Sequence, residues 1–156
     1  KFAYHLRRDG TGEEFREVLE RHGVPVPETW GASIRGDWVL NGSIDLLVQH
    51  PSDGRFYIVD WKSNILNRSA SGFDKAGVTE EMAEAGYFFQ YLLYSVVLHR
   101  FLKETLEGYS WEKNFGGVRY YFLRGIASDG AAPVFADRPP EAMLDELAAA
   151  LGIKEA

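Results

Sequence analysis

The chain has 156 residues, 46% hydrophobic and 26% charged, with a formal net charge of −6 and no cysteine. That length supports one domain with a real core, and the lack of cysteine excludes a disulfide framework and a thiolate metal site. No apolar run approaches the ~18 residues of a membrane span, no stretch reads as a secretory signal, and the acid excess is not that of a free-standing nucleic-acid binder.

Residues 1–8 read as a strand, with Phe2, Tyr4 and Leu6 on one face and His5 on the other. Residues 10–12 make a turn. Residues 13–22 read as a helix, with Phe15, Val18 and Leu19 at helical spacing and Gly23 as its stop. Val24-Pro25-Val26-Pro27 is extended, and residues 30–37 fit no single pattern. Trp38 opens a strand in which Asn41-Gly42 points to a bulge or a close backbone approach. Residues 44–48 and 56–59 are β-rich and flank Pro51-Ser52-Asp53-Gly54, which is turn chemistry.

Within this hairpin the charges carry the information. Asp60 and Lys62 are two apart on one strand and share a face. A turn centred on Ser52-Asp53 sets Asp45 opposite Asp60. One centred on Asp53-Gly54 sets Asp45 opposite Lys62. Both registers put the three on one face, and a slip by one residue would separate them. Opposed residues have Cβ atoms roughly 4.5–5.5 Å apart. Two carboxylates at that range repel unless a proton or cation lies between them. Hydrated Mg²⁺ suits such a pair, and an adjacent ammonium can orient a water or stabilise developing negative charge. Alone, an Asp and a Lys two apart on a strand more commonly make a solvated edge; the opposed Asp45 and the apolar run into Asp60 favour a site.

Residues 63–79, rich in Ser, Gly and Asn, read as a loop, with Arg68, Asp74 and Lys75 solvated. A helix is expected from about residue 80 to about residue 106. Glu80, Glu81 and Glu84 near its start and His99, Arg100 and Lys103 near its end would both suit the helix dipole. From Tyr87 to Leu102 it is apolar nearly all round, so it is expected to be buried. Gln90 and Tyr94 are i and i+4 on one face. Residues 114–124 read as a strand, 125–132 as a loop and 133–136 as a short strand. Asp137 is placed to cap a last helix, with Pro139 or Pro140 at its first position and Gly152 past its end. The order implies an α/β sheet flanked by helices. The three early strands would form a meander, and the strand at Val118, reached by a long helical crossover, is free to lie parallel to a neighbour.

The stretch from Gly42 to Asn64 resembles the active-site hairpin of the PD-(D/E)XK nucleases, and more narrowly the C-terminal nuclease domains of the RecB type. Gly42 and Asp45 match G-x-x-D, Asp60-Trp61-Lys62 matches D-x-K, and Gln90 and Tyr94 match Q-x-x-x-Y on the following helix. D-x-K alone is a weak signal. The three motifs in order, with Leu98-His99-Arg100 and Phe115-Gly116-Gly117-Val118 behind them, are specific. The absence of cysteine separates the chain from RecB-like nucleases that carry an iron–sulfur cluster.

The resemblance implies a restriction-endonuclease-like mixed sheet flanked by helices. It implies Mg²⁺ (Mn²⁺ or Ca²⁺ being possible) held by Asp45, Asp60 and the backbone carbonyl of Trp61, with Lys62 catalytic and Gln90 and Tyr94 supporting the site or touching DNA. It further implies a bacterial, cytoplasmic enzyme of double-strand-break repair, with single strands delivered by a fused helicase and RecC- and RecD-like subunits as partners. The family carries another ligand, usually a histidine, on a helix before the first strand. His5 does not match it, so residues 1–156 are expected to be one nuclease domain of a longer helicase–nuclease chain, with that core helix missing and the site incomplete. Two other classes fit these residues less well. A nuclease-like scaffold or subunit contact usually loses the acids or the lysine, all present here. A carboxylate-pair hydrolase of sugars would need a raised-pKa acid and a sugar groove, and Lys62 beside both acids favours phosphate.

Overall fold

The computed structural model describes residues 1–7, 11–26, 37–66, 70–127 and 132–153. β1 (Phe2–Arg7) and β2 (Asp37–Gly42) pair antiparallel as a two-stranded sheet of their own, with Phe2 opposite Gly42. Between them lies α1 (Thr11–Arg21). A second sheet has the order β3 (Leu46–Gln49), β4 (Phe56–Lys62), β5 (Phe115–Phe122), β6 (Val134–Asp137). The β3–β4 and β5–β6 pairs are antiparallel, whereas β4 and β5 run parallel. That parallel pair is permitted by the helical crossover between them, α2 (Lys75–Glu84) and α3 (Tyr87–Thr105), followed by the single turn α4 (Trp111–Asn114). α5 (Glu141–Ala150) closes the chain. The fold is the expected mixed sheet flanked by helices.

Period-two alternation decides which side of the sheet faces the core. Ile58, Asp60 and Lys62 of β4 and Val118, Tyr120 and Phe122 of β5 are buried, while Trp61 between them is exposed. α3 covers that buried side and is apolar nearly all round because α5 and α2 pack along its other flanks and Phe15 of α1 meets its Phe89. Leu92, Val96, Leu144, Leu147 and Leu19 are fully or almost fully enclosed there, each contributing roughly 1.5–3 kcal/mol of burial. Among the described residues no helix is long and apolar enough to cross a membrane.

Several expectations need correction. The meander is split: β1 pairs antiparallel with β2 and β3 with β4, but the middle strand is interrupted after Gly42 and its halves fall in separate sheets. Gly42 is pressed against the Phe2 ring, with no room for a Cβ, so the close approach and not a bulge explains it. The Ser43 carbonyl is taken by the Tyr94 hydroxyl. The loop expected over 63–79 already contains a 3₁₀ turn (Ala70–Phe73) and the start of α2, whose N-cap Asp74 accepts from Gly77 N. The long helix is two helices, broken where Gly86 adopts a left-handed φ of 72°. Glu80, Glu81 and Glu84 therefore lie late in α2, where the dipole does not favour them. Asp137 does not cap α5. It ends β6 and accepts a hydrogen bond from the Tyr91 hydroxyl, while Pro140 occupies the N-cap position without a side-chain bond. α1 begins at Thr11, so Gly12 is helical. The readings for Gly10, Pro27, residues 30–36, Arg68 and residues 128–131 fall outside the described residues, as does the facing of Tyr4, His5 and Leu6.

Candidate active site

The turn of the β3–β4 hairpin sets the register of the site. His50 N donates to Arg55 O and Gly54 N to His50 O, both at 2.8 Å. Asp53 Oδ1 accepts from Arg55 N at 3.0 Å, and this bond above all holds the Asp53 carboxyl below the usual carboxylate range. The ladder that follows pairs Leu46 with Val59 and Leu47 with Ile58. One step further, where the ladder has ended, Asp45 comes level with Asp60. Asp45 Oδ2 accepts from Trp61 N at 3.4 Å. Of the two registers left open by the sequence, this is the one that sets the two acids against each other.

The three charged residues meet in different surroundings. Asp60 is 3% exposed and Lys62 8% exposed, whereas Asp45 is exposed. Lys62 Nζ lies 2.6 Å from Asp60 Oδ1, a close ion pair between two buried side chains. Burial pushes the Asp60 carboxyl above its usual range; Lys62 works against the rise, and the charge on Asp45 adds to it.

Gln90 and Tyr94 are drawn into the same cluster by α3. Lys62 Nζ donates to Gln90 Oε1 at 2.8 Å, and Tyr120 donates to the same oxygen at 3.2 Å. Gln90 Nε2 donates to the Tyr94 hydroxyl at 3.3 Å, which donates to Ser43 O at 3.0 Å. One relay thus ties the ammonium of β4 to the backbone two residues before Asp45. Burial, before the charge of Asp60, pushes the Tyr120 phenol far up, so it remains a donor.

Two further residues of the cluster were not legible as site residues in the sequence. The Tyr87 ring lies 3.9 Å below Lys62 Nζ and the Tyr120 ring 4.9 Å from it, so the ammonium sits between aromatic faces. Tyr87 OH donates to Asn64 Oδ1 at 2.9 Å, and Asn64 Nδ2 donates to Glu81 Oε1 at 2.6 Å. The available signal for Tyr87 was its i, i+3 spacing to Gln90. The Trp61 side chain points to the opposite sheet face, 5.3 Å from the Tyr121 ring.

A divalent cation fits these residues. The Asp60 carboxylate keeps acceptor capacity beyond its ion pair with Lys62, the exposed Asp45 carboxylate stands level with it, and hard cations take such oxygens while keeping waters. An ammonium next to two carboxylates also supplies the positive charge that a phosphoryl group needs.

Residues 2–152 match the model of the PD-(D/E)XK nuclease superfamily, and the chain belongs to that superfamily. It is 36% identical over 147 residues to the RecBCD enzyme subunit RecB of Haemophilus influenzae, covering 94% of this chain and 12% of that protein. Identity to the RecB subunit of Escherichia coli is 36% over 127 residues, with 79% and 10% covered. For the RecB subunit of Mycobacterium tuberculosis it is 38% over 119 residues, with 74% and 11% covered. The chain thus spans about a tenth of the length of these relatives.

Proposed function

We propose that this chain is the metal-dependent DNA nuclease domain of a RecBCD-type helicase–nuclease, hydrolysing phosphodiesters at Asp45, Asp60 and Lys62. The observation that carries the reading is the buried Asp60–Lys62 ion pair standing level with the exposed Asp45 carboxylate. Asp45, Asp60 and the Trp61 carbonyl hold the cation, with Mg²⁺ as the physiological ion and Mn²⁺ or Ca²⁺ able to enter. A divalent ion there supplies Lewis acidity and a bound water of lowered pKa. Lys62 orients the attacking water and stabilises negative charge on the phosphoryl oxygens. Gln90 and the Tyr87 ring keep its ammonium in place. Tyr94 fixes the backbone before Asp45.

The substrate is DNA, delivered as single strands by a helicase in the same polypeptide, and the setting is a bacterial cytoplasmic complex with RecC- and RecD-like subunits. The RecB relatives support this setting. The net charge of −6 fits a nuclease domain that leaves the gripping of DNA to its neighbours. The test is cleavage of linear single- and double-stranded DNA with Mg²⁺ by the full helicase–nuclease, comparing it with its Asp45→Asn and Asp60→Asn variants. Each substitution is expected to abolish Mg²⁺-dependent cleavage while the fold persists. Undiminished cleavage by either variant removes the proposed site. Folded protein inactive in the full helicase–nuclease would leave the scaffold role in its place.

A further inference from the structure

We propose that His99, Glu141 and Asp145 form a second metal site, built for a Zn²⁺-like ion, that clamps α5 to α3. His99 is 1% exposed, and its Nε2 has no hydrogen-bond partner. That nitrogen points at two carboxylates on the facing helix, 3.3 Å from Asp145 Oδ1 and 3.9 Å from Glu141 Oε1. One ligand atom from each of the three lies within 4.8 Å of the others. Donors on a tetrahedral ion with bonds of about 2.0 Å stand about 3.3 Å apart, so the His99–Asp145 pair already has that spacing and the Glu141 side chain must draw in from 3.9 Å.

The surroundings fit a metal ligand. Nδ1 shares a hydrogen bond of 2.7 Å with the Tyr109 hydroxyl. With Nδ1–H donating to the phenol oxygen, the Nε2 lone pair is free and the ring is oriented, which is how metal-bound histidines are commonly supported. Glu141 and Asp145 are i and i+4 on α5, where like charges repel without a cation between them. Lys103 Nζ supplies one such charge, 3.0 Å from the same Asp145 oxygen, and so competes with a metal. Both carboxylates are partly open to solvent, giving the ion an entry path.

The donor set separates this site from the first. Asp45 and Asp60 offer only hard oxygens, which suit Mg²⁺, whereas an imidazole with two carboxylates suits Zn²⁺. Nine residues of helix, roughly 13 Å, separate His99 from Gln90, so the ion would brace the helix that carries Gln90 and Tyr94 without entering the reaction.

The experiment measures binding and needs no cleavage. Co²⁺ is titrated into the protein and followed by its visible absorption, then displaced with Zn²⁺, for the parent, Glu141→Gln/Asp145→Asn and Lys103→Gln. The parent is expected to bind both ions and to melt at a higher temperature with Zn²⁺. The double variant should bind at least ~10-fold more weakly and lose the thermal shift, and Lys103→Gln should bind more tightly. Zn²⁺ binding with equal affinity in parent and double variant, or none in the parent, overturns the proposal. Should the double variant not fold, Lys103→Gln decides alone: tighter binding supports the site, and unchanged or weaker binding overturns it.

Discussion

At the scale of single residues, Lys62 and Asp60 are mutually dependent, since both are buried and each is the other's nearest opposite charge. Lys62→Met would leave Asp60 without its countercharge. In chelator at neutral pH this should cost about 3–5 kcal/mol, the usual price of an orphaned buried charge. The pH dependence has a definite sign. Asp60 already sits above its ordinary 3.8 in the fold, so its contribution to stability is present below that value and is lost as pH rises through the folded pKa. Removing Lys62 pushes that pKa further up, so lowering the pH should restore much of the loss, and so should a divalent ion. Thermal melts across pH, with chelator or Mg²⁺, check this. Cleavage by the same variant should fall by about 10²–10³. Tyr94→Phe removes the hydroxyl that donates to Ser43 O and accepts from Gln90 Nε2, and is expected to cost about 0.5–1.5 kcal/mol for each bond lost. Its larger effect should be on metal affinity, read by calorimetry, because the backbone leading to Asp45 loosens.

Secondary-structure elements differ in how far their boundaries follow from local pattern. The hairpin was legible because its two strands are β-rich and its turn is marked. Only the register stayed open, and it was settled by hydrogen bonds of Asp53 and His50 that no alternation encodes. The crossover was harder to read. Its Gly- and Ser-rich entry masked the 3₁₀ turn and the Asp74 cap, and Gly86, directly before the apolar run that begins at Tyr87, was read as helix interior. Asp137 misled for a different reason. A capping residue and a strand end look alike until three further residues, Arg138 to Pro140, separate it from α5. Gly86 is held at φ 72°, so Gly86→Ala should lose about 1–2 kcal/mol, and Gly86→Asn less, because Asn visits that region more readily. Denaturant midpoints at unchanged slope measure both.

Across the whole molecule, the candidate site was far more legible than the sheet partition. Three motifs brought Asp45, Asp60, Lys62, Gln90 and Tyr94 to one place. The change of sheets after Gly42 falls where the Phe2 ring meets Gly42 and the Tyr94 hydroxyl meets Ser43 O, contacts between residues distant in sequence. An acidic surface should also make DNA binding weak and only mildly salt-dependent. Two single-strand phosphate contacts would lower affinity only about sevenfold between 50 and 200 mM salt, and fluorescence anisotropy with labelled oligonucleotide measures that slope. The most direct measurement is anomalous diffraction from crystals soaked in Mn²⁺. The expected result is a peak ligated by Asp45 and Asp60 beside the Trp61 carbonyl, absent in Asp60→Asn. A fully soaked crystal with no peak there, or one that survives the substitution unchanged, would contradict a metal-dependent nuclease site on this hairpin.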